Sequence, residues 1–408
     1  MGALKTNAIY CGDSQTVLGN TNEFPDESVD LVYVDPPFFS NKTYEVLWGD
    51  GYERRAFEDR WKGGIENYIA WMEPKIRECQ RVLKKTGSMY LHCDWHANAH
   101  LRILMDEVFG ANMFLNEIAW CYETSGKSRR WFARKHDTIF LYSKGPNYTF
   151  NVDAVKVPRK ASNHMRTGKD LDGRVYEEKT DRKSGKVYRW YLDEGALPAD
   201  YWTDIKFINW EAKERLHYPT QKPETLLERL IKASSNAGEV VLDPMCGCGT
   251  AVAVSERLGR KWVGIDVSPT ACKLMVRRMR KIGVQMKQDD IIGLPKTEEQ
   301  VRGMTPFEFQ NWIFQNIPGG RVSTRLRGDM GIDGHDFYGN PVQVKQSEGV
   351  GRNVVDNFET AMRREKKTRG TIVGLSFGAG AQEEVARAKN HDGLEITLKT
   401  LKELMEEE

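Results

Sequence analysis

The tetrapeptide Asp35-Pro36-Pro37-Phe38 closes the apolar run LVYVD and sets several kinds of chemistry side by side. Asp35 is a hydrogen-bond acceptor, and Pro36 rigidly presents its carbonyl as a second. Two acceptors can hold both protons of an exocyclic amine and favour its pyramidal, nucleophilic form. Phe38 offers a flat apolar face on which a base drawn out of a duplex can stack. Pro37 stiffens the corner, since two consecutive prolines forbid helix and fix an irregular loop. A buried strand followed by a proline turn would contain the same residues without any chemistry.

A second constellation is VLDPMCGCGT followed by VGID. A buried strand ends in Asp243, and Gly247 and Gly249 let backbone approach a ligand closely. A helix begins near Thr250. A second strand ends in Asp266, where an acid about 20 residues on can take two ribose hydroxyls. A pyrophosphate-binding turn wants a third glycine, which Gly-Cys-Gly-Thr-Ala-Val lacks. A nucleoside cofactor without a pyrophosphate fits better, and S-adenosylmethionine is the commonest. Cys246 and Cys248 form a bare Cys-x-Cys with no second pair at metal-ligand spacing, so they read as small residues in a tight turn.

The elements that must carry these residues alternate between strand and helix. Continuous apolar strands such as LVYVD and GSMYLHC suit a parallel sheet buried on both faces. Residues 66–84 show helical spacing interrupted by Pro74, and 224–235 form a further helix ahead of a β-α-β unit. From about 150 to 215 the apolar periodicity fades. DGRVYEEKTDRKSGKVYRWYL reads there as a surface hairpin turning at KSGK, within an inserted recognition region.

Residues 7 to 285 resemble the amino (N6-adenine or N4-cytosine) DNA methyltransferases in their permuted, beta-class order. DPPF comes first, and HYPTQKP…VVLDPMCGCGT…GID comes last. The resemblance implies a Rossmann-like α/β sheet, S-adenosylmethionine as methyl donor, double-stranded DNA as substrate and base flipping. It adds Asp13 of the GDS turn, Gln221 and Lys222 to the cofactor residues. The family's usual tyrosine is Phe38 here, and its usual FCGSG is MCGCG. DPPF favours adenine, and N4 of cytosine stays open. A cysteine-based C5 methyltransferase is disfavoured, because no Pro-Cys pair occurs in the chain. KSRRWFARKH clusters Lys127, Arg129, Arg130, Arg134 and Lys135 around Trp131 and Phe132. Basic groups neutralise phosphates and aromatics stack or wedge, so the segment is a candidate DNA contact. A solvated loop around a partly buried tryptophan is the plainer reading.

After a linker at 291–303, residues 304–408 lie outside that resemblance. The string RGDMGIDG followed by PVQVK places Asp333 ahead of a strand whose alternation presents Gln343 and Lys345 on one face. Asp333 can hold a hard divalent cation such as Mg²⁺, with Gln343 adding an amide oxygen. Lys345 can orient or deprotonate the attacking water, and Glu308 on the opening helix can reach the same metal. The pattern resembles the restriction-endonuclease-like fold of the modified-DNA (Mrr-type) branch, with Gln343 where an acid is usual. The chain therefore divides into a methyltransferase domain at 1–290, with target recognition at about 150–215, and a smaller α/β nuclease-like domain at 304–408. A rear domain that only binds DNA, or a pair of non-catalytic readers, remains open.

The 408-residue length accommodates two domains, and 40% apolar with 29% charged residues fits a globular chain and excludes a disordered or fibrous one. No apolar run reaches the ~20 residues of a membrane span. No secretory signal pattern opens the chain. Seven irregularly spaced cysteines suggest no disulfide framework, so a reducing, cytoplasmic setting is expected. A net charge of only +2 means that DNA binding must come from local clustering. A homodimer is left open, and RNA is the less favoured polymer.

Overall fold

Every residue from Val29 to Val34 is buried, which is what a central strand covered on both faces requires. In the computed structural model this strand lies in the middle of a mixed eight-stranded sheet. The structure describes residues 3–406 apart from 41, 48–52, 60–63, 124–128, 160–163, 210, 217, 219, 319 and 323–330.

The elements run β1 (Ala8–Cys11), α1 (Ser14–Leu18), β2 (Val29–Val34), β3 (Lys42–Leu47), β4 (Glu53–Asp59), α2 (Gly64–Val82), β5 (Leu83–Cys93), α3 (Asn98–Phe109), β6 (Phe114–Cys121) and β7 (His136–Ser143). Next come β8 (Arg166–Lys169), β9 (Val175–Thr180), β10 (Val187–Tyr191), β11 (Tyr201–Trp202), α4 (Glu224–Ser234), β12 (Val240–Asp243), α5 (Thr250–Arg257), β13 (Lys261–Asp266) and α6 (Pro269–Lys281). The sheet order is β1-β13-β12-β2-β5-β7-β6-β11, parallel except for β7, which runs antiparallel to both neighbours. Alternation along each strand feeds two cores. Val32 and Val34 face α2 and α3, while Leu31 and Tyr33 face α4 and α5.

Three expectations change against this frame. Pro74 does not interrupt its helix, because α2 runs through it from Gly64 to Val82. One lost backbone bond is outweighed by burial of Tyr68, Met72, Ile76 and Cys79. The 150–215 region is mostly a separate antiparallel sheet, β10-β9-β8, with its hairpin turn at 181–186. It nevertheless lends β11 to the edge of the main sheet, parallel to β6. The stretch 291–303 is more than a connector. Ile292 pairs beside β1, donating to the Ile9 carbonyl at 2.9 Å and accepting from the Cys11 N–H at 2.7 Å. Residues Glu298–Arg302 form α7, whose Val301 is buried with the second module.

That module comprises α8 (Pro306–Asn316), β14 (Arg321–Val322), β15 (Gly334–His335), β16 (Pro341–Lys345), α9 (Arg352–Arg364), β17 (Arg369–Gly374), α10 (Ala379–Asp392), β18 (Glu395–Thr400) and α11 (Leu401–Glu406). Its sheet order is β14-β15-β16-β17-β18, antiparallel through β16 and parallel from β16 to β18. Helices α7, α8 and α11 share one apolar core, and α9 and α10 share another. Strand β18 ends at Thr400, and α11 follows directly from Leu401 to Glu406. All seven cysteines are free thiols. Among the described residues no helix is long and apolar enough to cross a membrane.

Candidate functional site

Strands β1, β13, β12 and β2 are neighbours and parallel, so their carboxyl ends meet on one edge of the sheet. In open α/β sheets ligands gather at that edge. The loops after all four strands line a single cleft of about 140 Å³. Asp13, Asp35, Pro36, Pro37, Phe38, Asp243, Gly247, Thr250 and Asp266 all contribute to it, together with Gln221 and Lys222. Gly249 stands behind the lining.

At the proline corner, the Tyr68 hydroxyl donates to the Pro37 carbonyl at 2.7 Å. Phe39 takes the left-handed conformation at φ +61°, a strained position for a non-glycine residue. Lys222 donates to both Asp35 oxygens at 2.8 and 2.7 Å. The ring of Phe38 lies 5.6 Å from that of His92. His92 is fully buried between the Tyr33 hydroxyl, 2.9 Å from Nδ1, and Asp137, 3.1 Å from Nε2. Tyr122 donates to the other Asp137 oxygen at 2.8 Å. Burial alone would raise the Asp137 carboxyl, but His92, Lys222 and Tyr122 hold it below the usual range. Burial, then the charges of Asp35, Asp243 and Asp137, push the Tyr33 phenol well up, so it stays a neutral hydroxyl.

The glycine loop is held by what lies around it. Gly247 (φ +50°) donates its N–H to Asp266 Oδ2 at 2.8 Å, and Ser268 donates to Oδ1 at 2.8 Å. Burial pushes the Asp266 carboxyl up to about 6 against those two bonds. Burial likewise raises Asp243 well above the carboxylate range, with Asp35 and Asp266 adding repulsion. A Cβ on Gly249 would stand 2.3 Å from Met275 Cγ, and its φ is +73°. Both glycines are therefore required by conformation and by space. Beneath the loop the buried Arg278 donates to the Thr250 hydroxyl at 3.0 Å and to Glu224 at 2.7 Å. Burial raises Glu224, but Arg278 and Arg257 outweigh it and hold the carboxyl low.

Several candidates are already engaged by protein partners. Asp13 caps α1 through the N–H groups of Gln15 and Thr16 and pairs with Lys75 at 2.9 Å. Gln221 donates to the Glu214 carbonyl at 2.7 Å and accepts from the Leu216 N–H at 2.8 Å, stapling the loop that enters the cleft. Lys222, grouped with the cofactor residues by the resemblance, lines the cleft and binds both Asp35 oxygens of the proline corner. The structure also brings in residues that the spacing did not single out: Trp71 and Lys75 of α2, Tyr218, and the buried His92, Asp137 and Arg278. Only Tyr218 carried a signal, as part of HYPTQKP.

The basic segment lies on the loop before β7. Lys127 falls outside the described residues. Arg129, Arg130 and Arg134 are exposed, as are Trp131 and Phe132, and Lys135 is half-buried. The Arg134 guanidinium covers the Trp95 ring at 3.5 Å, and Trp95 stacks on His96 at 3.7 Å. Trp95 follows β5, which neighbours β2, so the basic loop reaches the strand ends next to the proline corner.

In the second module, Asp333 Oδ2 accepts from the Val344 N–H at 2.8 Å, which sets the carboxylate against β16 between Gln343 and Lys345. Gln343 is buried, and its Oε1 has no hydrogen-bond partner among the described residues. Glu308 is engaged within its own helix. Its carboxylate accepts from the Thr305 N–H at 2.9 Å and hydroxyl at 2.8 Å, closing a capping box on α8. Gln310 is the α8 residue that approaches Asp333, 3.5 Å from its carbonyl.

A DNA methylase family model of the N6/N4 methyltransferase type matches residues 29–277. DNA adenine methyltransferase YhdJ of Escherichia coli (strain K12) is 31% identical over 277 residues, covering 67% of this chain and 83% of that protein. Type II methyltransferase M.HpaI of Haemophilus parainfluenzae is 29% identical over 276 residues, covering 66% and 73%. Among solved structures, the PvuII DNA methyltransferase (cytosine-N4-specific) aligns with a TM-score of 0.46 at 17% identity, covering 70% of this chain and 90% of that one.

Proposed function

The chain belongs to the N6/N4 DNA methylase family, and from that membership we propose that it transfers a methyl group from S-adenosylmethionine to N6 of adenine in duplex DNA, on a flipped base. The observation that carries this reading is the shared cleft: the Asp35–Phe38 corner and the Gly247 loop line one cavity. The name of the 31%-identical relative supports adenine. The N4 amine of cytosine would meet the same acceptors.

The residues of the cleft fit the donor. Each Asp266 oxygen takes one backbone N–H and keeps acceptor capacity for ribose hydroxyls. Trp71 and Tyr218 supply apolar wall, and the glycine loop brings backbone close. When bound, the donor supplies an electrophilic methyl on a sulfonium. The chain's own residues do the positioning, which dominates an in-line displacement. Phe38 stacks the extruded base, Asp35 and the Pro36 carbonyl accept the two amine protons, and the buried Tyr33–His92–Asp137 chain holds the floor on which Phe38 rests. Positive charge building on the amine nitrogen is stabilised by the Asp35 carboxylate.

We propose that residues 304–408 form a restriction-endonuclease-like domain, reached through the structured 291–303 segment. The observations favouring this are the Asp333 carboxylate held on β16 by the Val344 N–H, and the neighbouring buried Gln343, whose Oε1 has no hydrogen-bond partner among the described residues. A buried oxygen without a donor suits a cation. Asp333 and Gln343 would hold Mg²⁺, which supplies charge stabilisation at a phosphate. Lys345, two residues on along β16, would orient water.

Incubation with S-adenosylmethionine and mixed-sequence DNA, followed by nucleoside mass spectrometry and single-molecule sequencing, tests the main reading. N6-methyladenine in a fixed context is the expected product. N4-methylcytosine would move the assignment to the other base, and no methylated nucleoside would overturn it.

A further inference from the structure

Lys222 occupies an unusual position for a residue of a donor-side loop. Its ammonium sits 2.8 and 2.7 Å from the two Asp35 oxygens, 3.2 Å from the Thr220 carbonyl and 4.7 Å from the centre of the Phe38 ring. Its side chain is almost wholly buried. A target base must stack on Phe38 and donate its amine to Asp35. The ammonium holds both of those places at once, with N–H donors of the kind the amine will bring.

We propose that Lys222 is a stand-in for the target amino group. Without DNA it keeps the Asp35 carboxylate paired and the corner in its receiving geometry. As the base enters, Lys222 gives up at least one Asp35 oxygen and pivots on the Thr220 carbonyl. The exchange of one donor for another keeps the half-buried Asp35 carboxylate paired at every stage. It also means that extrusion is opposed by the bond it replaces, so a base without a matching amine gains nothing at Asp35. Lys222 is in this sense a positioning residue that regulates entry. The inference rests on the reading of Asp35 as the amine acceptor.

The test uses the full chain and the duplex site identified by sequencing the methylated product, with the target adenine kept and 2-aminopurine as its 3′ neighbour, whose fluorescence rises when the target leaves the stack. Fluorescence without donor reports extrusion, and melting temperature reports folding. Lys222→Met removes the competing donor and should raise the extruded fraction, strengthening target-duplex binding by about tenfold. Lys222→Gln keeps a neutral donor and should fall between Met and wild type; it remains informative if the Met variant folds poorly. Unchanged or reduced fluorescence in a well-folded variant would overturn the proposal. So would a complex in which the base is seated and Lys222 still holds both Asp35 oxygens. If the wild-type chain methylates no DNA, the reading of Asp35 itself fails, a result distinct from methylation that proceeds without the Lys222 effect.

Discussion

The backbone N–H of Gly247 donates to Asp266 Oδ2 at 2.8 Å, tying the turn after β12 to the end of β13. The second oxygen is bound by the Ser268 N–H at 2.8 Å. One carboxylate thus fixes the glycine loop and still offers lone pairs toward the cleft. Asp266→Ala removes both functions. We expect S-adenosylmethionine binding to weaken by roughly 10- to 100-fold, the scale of charge-assisted hydrogen bonds. Calorimetric titration checks this, and an unchanged Kd would remove Asp266 from the donor site.

The same carboxyl should make binding depend on pH. It titrates near 6 in the fold against 3.8 for an exposed aspartate. Between those values the folded protein holds more protons than the unfolded one, so this group's contribution to stability falls as pH rises. Ribose hydroxyls need the ionised acceptor, so donor affinity should rise through about pH 6 and level off above it. Titrations from pH 5 to 8 should show that rise in the wild type and a flatter curve in Asp266→Asn. Parallel curves would assign the dependence to another group.

Gly247 is confined from a second direction. A Cβ there would stand 3.0 Å from Tyr218 Cε1, and its φ of +50° disfavours any side chain. Gly247→Ala should lower donor affinity by at least about tenfold through loop displacement, with a backbone cost of roughly 1 kcal/mol. The added change Tyr218→Ala relieves the contact but not the φ, so the double variant should recover only part of the loss. Full additivity of the two substitutions would show that the Tyr218 contact does not constrain the loop.

Asp35→Ala should reduce methyl transfer by about 10²–10³-fold, as loss of an acceptor aimed at developing charge does. Donor affinity should stay within about threefold, because Asp266 and the glycine loop are untouched. Asp35→Asn is the companion variant, since it leaves Lys222 a neutral oxygen to bind. A radiolabelled-methyl assay with a filter-binding control separates the two effects. Transfer that survives in both variants would end the amine-holding role.

The parts of this site legible in the sequence are those at strand ends. An apolar run that stops at Asp35, Asp243 or Asp266 announces both the strand and its carboxyl edge, and parallel packing then gathers the edges. His92, Asp137 and Arg278 were not legible, because each sits inside an element whose pattern reads as core or surface. His92 follows GSMYL in the buried stretch Gly87–Cys93 of β5, and its partner Asp137 is the second residue of a different strand. Arg278 lies among the basic residues of α6, where Arg277, Arg280 and Lys281 are indistinguishable from it by type. Glu308 shows the converse: a carboxylate of the right type, three residues after Thr305, is also a capping-box residue, and the cap takes it. Strand β11 and the pairing of Ile292 beside β1 are tertiary choices made by short segments with no periodicity of their own.

The last prediction concerns the second module. Gln343 Oε1 is buried without a hydrogen-bond partner among the described residues, and β16 alternation places Lys345 on the same face. If the face cleaves phosphodiesters, Lys345→Ala should lower Mg²⁺-dependent nicking of supercoiled DNA by at least about 10²-fold, a loss typical for a positioned proton-transfer group. Methyl transfer should be unchanged, since β16 shares no residue with the donor cleft. Gln343→Glu adds the acid usual in such sites and should lower the Mg²⁺ concentration needed for half-maximal cutting. Gln343→Met should raise the melting temperature while lowering Mg²⁺-dependent nicking, because it replaces a buried oxygen that has no partner among the described residues with an apolar group of similar volume. Nicking that survives in Lys345→Ala would put the nuclease chemistry elsewhere. No nicking by the wild-type chain on methylated or unmethylated DNA would leave the domain as a DNA-binding clamp.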